Sequence, residues 1–231
     1  MPKPDSALAL PIFIEPNPIP PATPIKNAGS VESQSTVRVV VAHYNEPLRW
    51  LVAVPKDYSI TVSFAGDEPQ IPAHVTNSVK IEKTENGGKD CGQWVRWIAR
   101  HYDELDDIIL FLQGSPYIGH SPEILLQISR GDLKNKFDYF GSGRPFHKSV
   151  GKGWQFGEMT WIVPAGLHVE PFSCGVWGSQ HYVTRDVIHR RPKSFYENLA
   201  SISLELEGSR FGDICEYYFN VIYGVTMEEI I

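Results

Sequence analysis

Cysteine is scarce in this chain: Cys91, Cys174 and Cys215 are the only three, an odd number with no C-x-x-C spacing. That excludes a disulfide framework and a zinc knuckle, and it predicts a cytoplasmic, reducing compartment. Long hydrophobic runs are missing too. No stretch of about 18 apolar residues occurs, the length a membrane span needs. The apolar stretch from Ala7 to Ile14 is interrupted by Pro11 and preceded by a single basic residue, Lys3, so it reads as a poor secretory leader. Positive charge is not in excess. The net charge of -6 argues against a partner held by bulk electrostatics, nucleic acid above all. The one dense basic cluster, Arg185, His189, Arg190, Arg191 and Lys193, reads as a solvated segment at a helix entry. The histidines show neither H-x-H nor H-E-x-x-H spacing, and the serines lack a G-x-S-x-G elbow.

What the chain does have is enough apolar residue for one sizeable core, 42% of 231 residues. Residues 1–36 are crowded with proline (Pro16, Pro18, Pro20, Pro21, Pro24) and then serine and threonine, which predicts an extended, weakly ordered tail. A single folded domain is expected over 37–231. It begins with Val37 to Ala42, a β-branched run without polar alternation, the pattern of a central parallel strand. Further strands are predicted at 59–64, 78–81, 108–112 and 180–184. Asn45 is a candidate cap for a short helix through Trp50 and Leu51, opened by Pro47.

Asp90 is a candidate cap for a helix whose stripe runs through Trp94, Val95, Trp97 and Ile98. Other helices are predicted from Ser121, from Arg185, from Pro192 and from about Asp213 to Ile222, with Gly224 as a stop. Residues 137–171, rich in glycine and aromatics, read as irregular loop. The alternation of strands and helices gives an α/β fold with an open, mostly parallel sheet flanked by helices.

Two apolar runs end abruptly in polar residues, one in His43-Tyr44-Asn45-Glu46 and the other in Gln113-Gly114. Parallel strands deliver side chains to a ligand crevice in this way, at their carboxyl ends. These segments, together with Trp177-Gly178-Ser179-Gln180 and Arg190-Arg191-Pro192-x-x-Phe195-Tyr196, resemble the family known as domain of unknown function 3431. That family in turn is similar to compact glycosyltransferases of the GT-A type.

The resemblance implies a nucleotide-sugar donor and a glycan or small-molecule acceptor. His43, Asn45, Lys89 and Gln113 would lie on the donor side, and Trp177, Gln180 and His181 on the sugar and acceptor side. It also implies a divalent cation, Mn²⁺ or Mg²⁺. Here the chain departs from the family pattern, because Phe111-Leu112-Gln113-Gly114-Ser115 stands where an Asp-x-Asp element would hold the metal. Asp106 and Asp107 precede that strand and belong to its opposite end. Diphosphate charge would then fall to Lys89, Arg144, Lys148 or Arg185, or to a metal held by carboxylates from elsewhere, or catalysis has been lost.

Transfer to a hydroxyl also needs a base. Glu46, Asp90 and Asp213 are the catalytic candidates, with Glu170 a further carboxylate; for Asp213 an N-cap role explains the residue equally well. Two other function classes remain open. One is a carbohydrate-binding or scaffold module without transfer, for which Trp154, Trp161 and Trp177 would serve as stacking platforms. The other is a metal-dependent hydrolase built on His43, His120, His147, His168 and His181.

Overall fold

Valines 39, 40 and 41 are all fully buried, because the first strand is covered on both faces. The computed structural model describes residues 35–116, 128, 130, 133, 136–139, 180–206, 210–225 and 229. Among the described residues, six strands form one sheet: β1 (Val37–His43), β2 (Ser59–Phe64), β3 (Val79–Lys83), β4 (Ile108–Gln113), β5 (Phe137–Tyr139) and β6 (His181–Thr184). Their order is β3-β2-β1-β4-β6-β5. β1 runs parallel to β2 and β4, and β2 to β3. Only β6 is reversed, antiparallel to β4 and β5. The fold is thus α/β with a mostly parallel sheet.

Side-chain alternation divides the core. Val39, Val41, Leu110 and Leu112 face a cluster with Trp50, Leu51 and Tyr58, carried by the 3₁₀-helix Arg49–Ala53 and its surroundings. Val40, Ala42, Ile109 and Phe111 face the helices. These are α1 (Lys89–His101), α2 (Arg185–Ile188), α3 (Lys193–Glu205) and α4 (Arg210–Tyr223).

α1 is buried from Cys91 to Ala99, wedged between β1 and β2 on one side and α3 and α4 on the other. Burying residues as large as Trp94 and Trp97 is worth about 1.5–3 kcal/mol each. Arg96 is a polar exception on this helix and is only 5% exposed. It donates to Thr84 Oγ1 (3.1 Å), Ser203 Oγ (2.6 Å) and the Glu85 carbonyl (2.7 Å), which ties α1 to α3 and to the end of β3.

Several local expectations are corrected. The N-cap of α1 is Gly88 in the left-handed region (φ 65°), so Asp90 is the second helical residue and accepts from Cys91 N at 2.9 Å. Asn45 caps no helix: the 3₁₀-helix starts at Arg49, and Asn45 Oδ1 accepts from Asp67 N at 3.1 Å instead. α4 starts at Arg210, which makes Asp213 its fourth residue and not its cap. Within the expected loop at 137–171, Phe137–Tyr139 extends to pair with β6, because β6 is reversed and leaves an edge for it. The proline-rich residues 1–34, most of the expected helix from Ser121, and residues 140–179 lie outside the described residues. Thr36, at the end of the expected tail, is held by Asp107 Oδ2, which accepts from its N–H (2.9 Å) and its hydroxyl (3.0 Å).

Candidate functional site

At β1 the chain order reverses: β2 and β3 lie on one side and β4 on the other, the switch point where open α/β sheets form a crevice. A cavity of about 390 Å³ opens there, beyond the carboxyl ends of β1 and β4 and against the start of α1. Ligand pockets usually span about 300–1,000 Å³, so this one suits a compact polar ligand. His43, Glu46, Lys89, Asp90 and Gln113 line it, each from a segment that ends or begins at this rim. The polar tips of β1 and β4 therefore share one cleft.

The cleft's side chains are held in place. Gln113 closes β4, and its Nε2 donates to Asp90 Oδ2 at 2.5 Å, bridging the strand end to α1. Below Asp90 lies Cys215 of α4; burial, and secondarily the Asp90 charge, push its thiol well above the ordinary range. Glu46 Oε2 accepts from the backbone amides of Tyr44 (2.8 Å) and Asn45 (3.2 Å), which fixes the carboxylate over the loop after β1.

Gly114 is glycine for a spatial reason. A Cβ there would stand 2.4 Å from Glu46 Oε2. Its carbonyl accepts from Trp50 Nε1 at 2.8 Å. Lys89 has φ 52°, the one positive φ outside glycine among the described residues. Such strain gathers at ligand sites.

Other expected site residues are elsewhere. Asn45 is exposed and absent from the cleft lining, because its amide is used in the link to Asp67. Gln180 is fully buried and braces the wall from behind: Oε1 accepts from Gln113 N (3.1 Å) and Nε2 donates to the Pro116 carbonyl (2.9 Å). His181 is also fully buried, in an aromatic cluster with Trp94, Phe111 and Phe219, and its Nε2 shares a hydrogen bond with the Tyr223 hydroxyl (2.9 Å). It is a core histidine, since β6 lies inside the sheet between β4 and β5 and its helix-side face is covered.

Arg185 sits at the opposite end of β4, donating to Asp107 Oδ1 (2.7 Å) and the Leu105 carbonyl (3.1 Å). Hydrogen bonds from Thr36, and further the Arg185 charge, hold the Asp107 carboxyl below its usual range. Asp106 likewise pairs with Arg38 at that end. Of Asp213 only the backbone position is described, and Trp177, Arg144, Lys148 and Glu170 lie outside the described residues.

Tyr44, in the polar ending of β1 that the sequence singled out, also lines the cleft, whereas Asn86 and Gln93 escaped the sequence reading as site residues. Gln93 had a signal, since a glutamine three residues from Asp90 and beside Trp94 interrupts, as Arg96 does, a largely apolar buried stretch.

Among the described residues the implied Mn²⁺ or Mg²⁺ finds no cage built by protein groups alone. Glu46 and Asp90 are the cleft's carboxylates, both oxygens of Asp90 already accept hydrogen bonds, and among the described residues no three His, Cys, Asp or Glu groups are placed to hold an ion. Of the histidines of the hydrolase alternative, His43 lines the cleft and His181 lies in the core, and His120, His147 and His168 lie outside the described residues. Among the described residues no helix is long and apolar enough to cross a membrane.

No family model matches the chain, and no curated protein matches it. Solved structures similar to it include glucosyl-3-phosphoglycerate synthase from Mycobacterium tuberculosis in complex with Mn²⁺, UDP and glucosyl-3-phosphoglycerate: 12% identity, 74% of this chain and 68% of that one, TM-score 0.37. Core-mannan synthase A from Aspergillus fumigatus, in an Mn/GDP form, is 9% identical over 80% of this chain and 67% of its own, with a TM-score of 0.40. TarS 1–349 from S. aureus is 14% identical over 73% and 54%, with a TM-score of 0.36. The chain thus spans from about half to two thirds of the lengths of these structures. Likeness at this level decides no chemistry.

Proposed function

We propose that the chain is a nucleotide-sugar-dependent glycosyltransferase, with its donor in the cleft between the ends of β1 and β4 and a glycan or small-molecule acceptor above it. The observation that carries this reading is the cleft itself: a cavity at the sheet's switch point, with a cation and a 13-residue helix start on one wall and an oriented carboxylate on another.

Lys89 and the first turn of α1 offset the charge of the donor diphosphate, which suits the positive end of a helix and an ammonium group. Gln113, fixed by Asp90, orients the sugar; Asp90 acts through it as a positioning residue. Glu46 is the general base. A bond forms from the acceptor hydroxyl oxygen to the anomeric carbon while the bond from that carbon to the diphosphate oxygen breaks. The electron pair leaves with the nucleoside diphosphate, and the hydroxyl proton passes to Glu46. No step is assigned to a metal.

A second reading, a carbohydrate-binding module without transfer, is favoured by one observation: the residue closing β4 is an amide, and its carboxylate partner Asp90 already accepts a hydrogen bond on each oxygen. The two readings separate on incubation with UDP-glucose, UDP-N-acetylglucosamine and GDP-mannose, with and without Mn²⁺, while release of nucleoside diphosphate is followed. Release by the wild type that falls by about 100-fold or more in Glu46→Gln is expected, the scale on which a general base contributes. Binding without release supports the second reading. Neither binding nor release refutes both.

A further inference from the structure

Two polar atoms of the cleft-lining residues have no hydrogen-bond partner although their side chains are buried: His43 Nδ1 and Gln93 Oε1. The residues are only 4% and 5% exposed. Unmet buried polar atoms are rare and costly, which makes two at one cleft a signal.

Their chemical character follows from what the other end of each side chain touches. His43 Nε2 lies 2.9 Å from the Glu46 carbonyl oxygen, which can only accept; Nε2 therefore carries the proton, and in the neutral ring Nδ1 is a bare lone pair. Gln93 Nε2 donates to the His43 carbonyl at 3.4 Å, which leaves Oε1, an acceptor, as its unmet atom. Both unmet atoms are thus acceptors that no donor among the described residues meets. Ala42, the small residue that follows a run of valines, also lines this cleft.

Resting on the transferase reading, we infer that Gln93, together with His43, is a specificity-determining contact that accepts hydrogen bonds from a neutral, donor-bearing group of the ligand: hydroxyls of the sugar, or the N–H edge of the base. An anionic group is disfavoured beside these two atoms, because it has no hydrogen to offer two lone-pair acceptors. The diphosphate is left to Lys89 and the start of α1.

The test is calorimetric titration of wild type, Gln93→Met, Gln93→Glu, His43→Gln and His43→Asn with UDP, GDP, UDP-glucose and GDP-mannose, and with neutral uridine, guanosine, glucose and mannose. Gln93→Met removes the acceptor, and Gln93→Glu keeps one. His43→Gln preserves a donor toward the Glu46 carbonyl but loses the Nδ1 acceptor, whereas His43→Asn does the reverse. Gln93→Met and His43→Gln are expected to weaken binding about tenfold, the loss of one good hydrogen bond, while Gln93→Glu and His43→Asn stay within about threefold.

Losses confined to the sugar-bearing ligands assign the group to sugar hydroxyls; losses shared by UDP or GDP assign it to the nucleoside. Equal losses in Met and Glu variants, or unchanged affinities with lowered stability, would mean that the two atoms serve packing or internal water, overturning the inference while the proposed function stands. Binding only of the neutral probes, with the same pattern, upholds the inference and removes the nucleotide reading. No binding of any probe to the wild type overturns both.

Discussion

Replacing Gly114 by alanine inserts a methyl group against the Glu46 side chain at the cleft. The new Cβ would stand 2.4 Å from Glu46 Oε2, 2.8 Å from its carboxyl carbon and 3.1 Å from its Cβ. The carboxylate end can swing away, but only by giving up the amides of Tyr44 and Asn45; the Glu46 Cβ has less freedom. The alternative is a shift of the Gly114 backbone, which strains the bond from Trp50 Nε1 to its carbonyl. Overpacking of this kind costs about 1–3 kcal/mol.

If Glu46 is the obstacle, the cost depends on it. Gly114→Ala should destabilise the wild type by that amount and the Glu46→Ala background by much less, a coupling of about 1–2 kcal/mol in a double-mutant cycle. Urea unfolding followed by tryptophan fluorescence measures the cycle, with Trp50 as a reporter beside the site. Turnover or ligand affinity should fall in Gly114→Ala as well, since the displaced group is the proposed base. Additivity within about 0.5 kcal/mol would refute the argument, showing that Gly114 makes room for something other than Glu46.

His181→Phe tests the reassignment of that residue to the core: loss of its hydrogen bond with Tyr223 should lower stability by about 1–3 kcal/mol, with affinity for nucleotides and sugars unchanged by isothermal titration. A selective loss of affinity would return His181 to the site. Glu82 supplies a pH test. Burial raises its carboxyl, but hydrogen bonds and charge from Lys80 (2.7 Å) and His101 (3.0 Å) outweigh it, so the folded-state value lies below 4.5. Its stabilisation is present above pH 4.5 and is lost as pH falls through the depressed folded value. Glu82→Gln should therefore lower stability at neutral pH and flatten its decline below pH 4.5, as read from chemical denaturation across pH; an unchanged acid limb would contradict the pairing.

How far the chain could be read without coordinates depends on the range of the forces involved. Strand positions in β1, β2 and β4 were legible because a β-branched run without alternation has few other uses, and α1 because its tryptophans recur at helical spacing. The polar endings at His43 and Gln113 are also local features, and they pointed to the strand ends that line the cleft. Helix starts were less legible. Asp90 and Asp213 look like caps in sequence, yet Gly88 takes the left-handed position before α1, and α4 begins three residues before Asp213.

The sequence by itself determined that this is an α/β chain with strand tips suited to holding a polar ligand, since periodicity and strand-end chemistry act within a few residues. Only the tertiary structure decided which polar residues share a space. Gln180, His181 and Arg185 are near neighbours in sequence but serve a wall, a core and the far end of the sheet, because a reversed strand carries the chain from the cleft through the core to the opposite edge within four residues. Gln93 joined the cleft for the converse reason: a long-range contact across 50 residues brings α1 beneath the end of β1, and no local pattern encodes that distance.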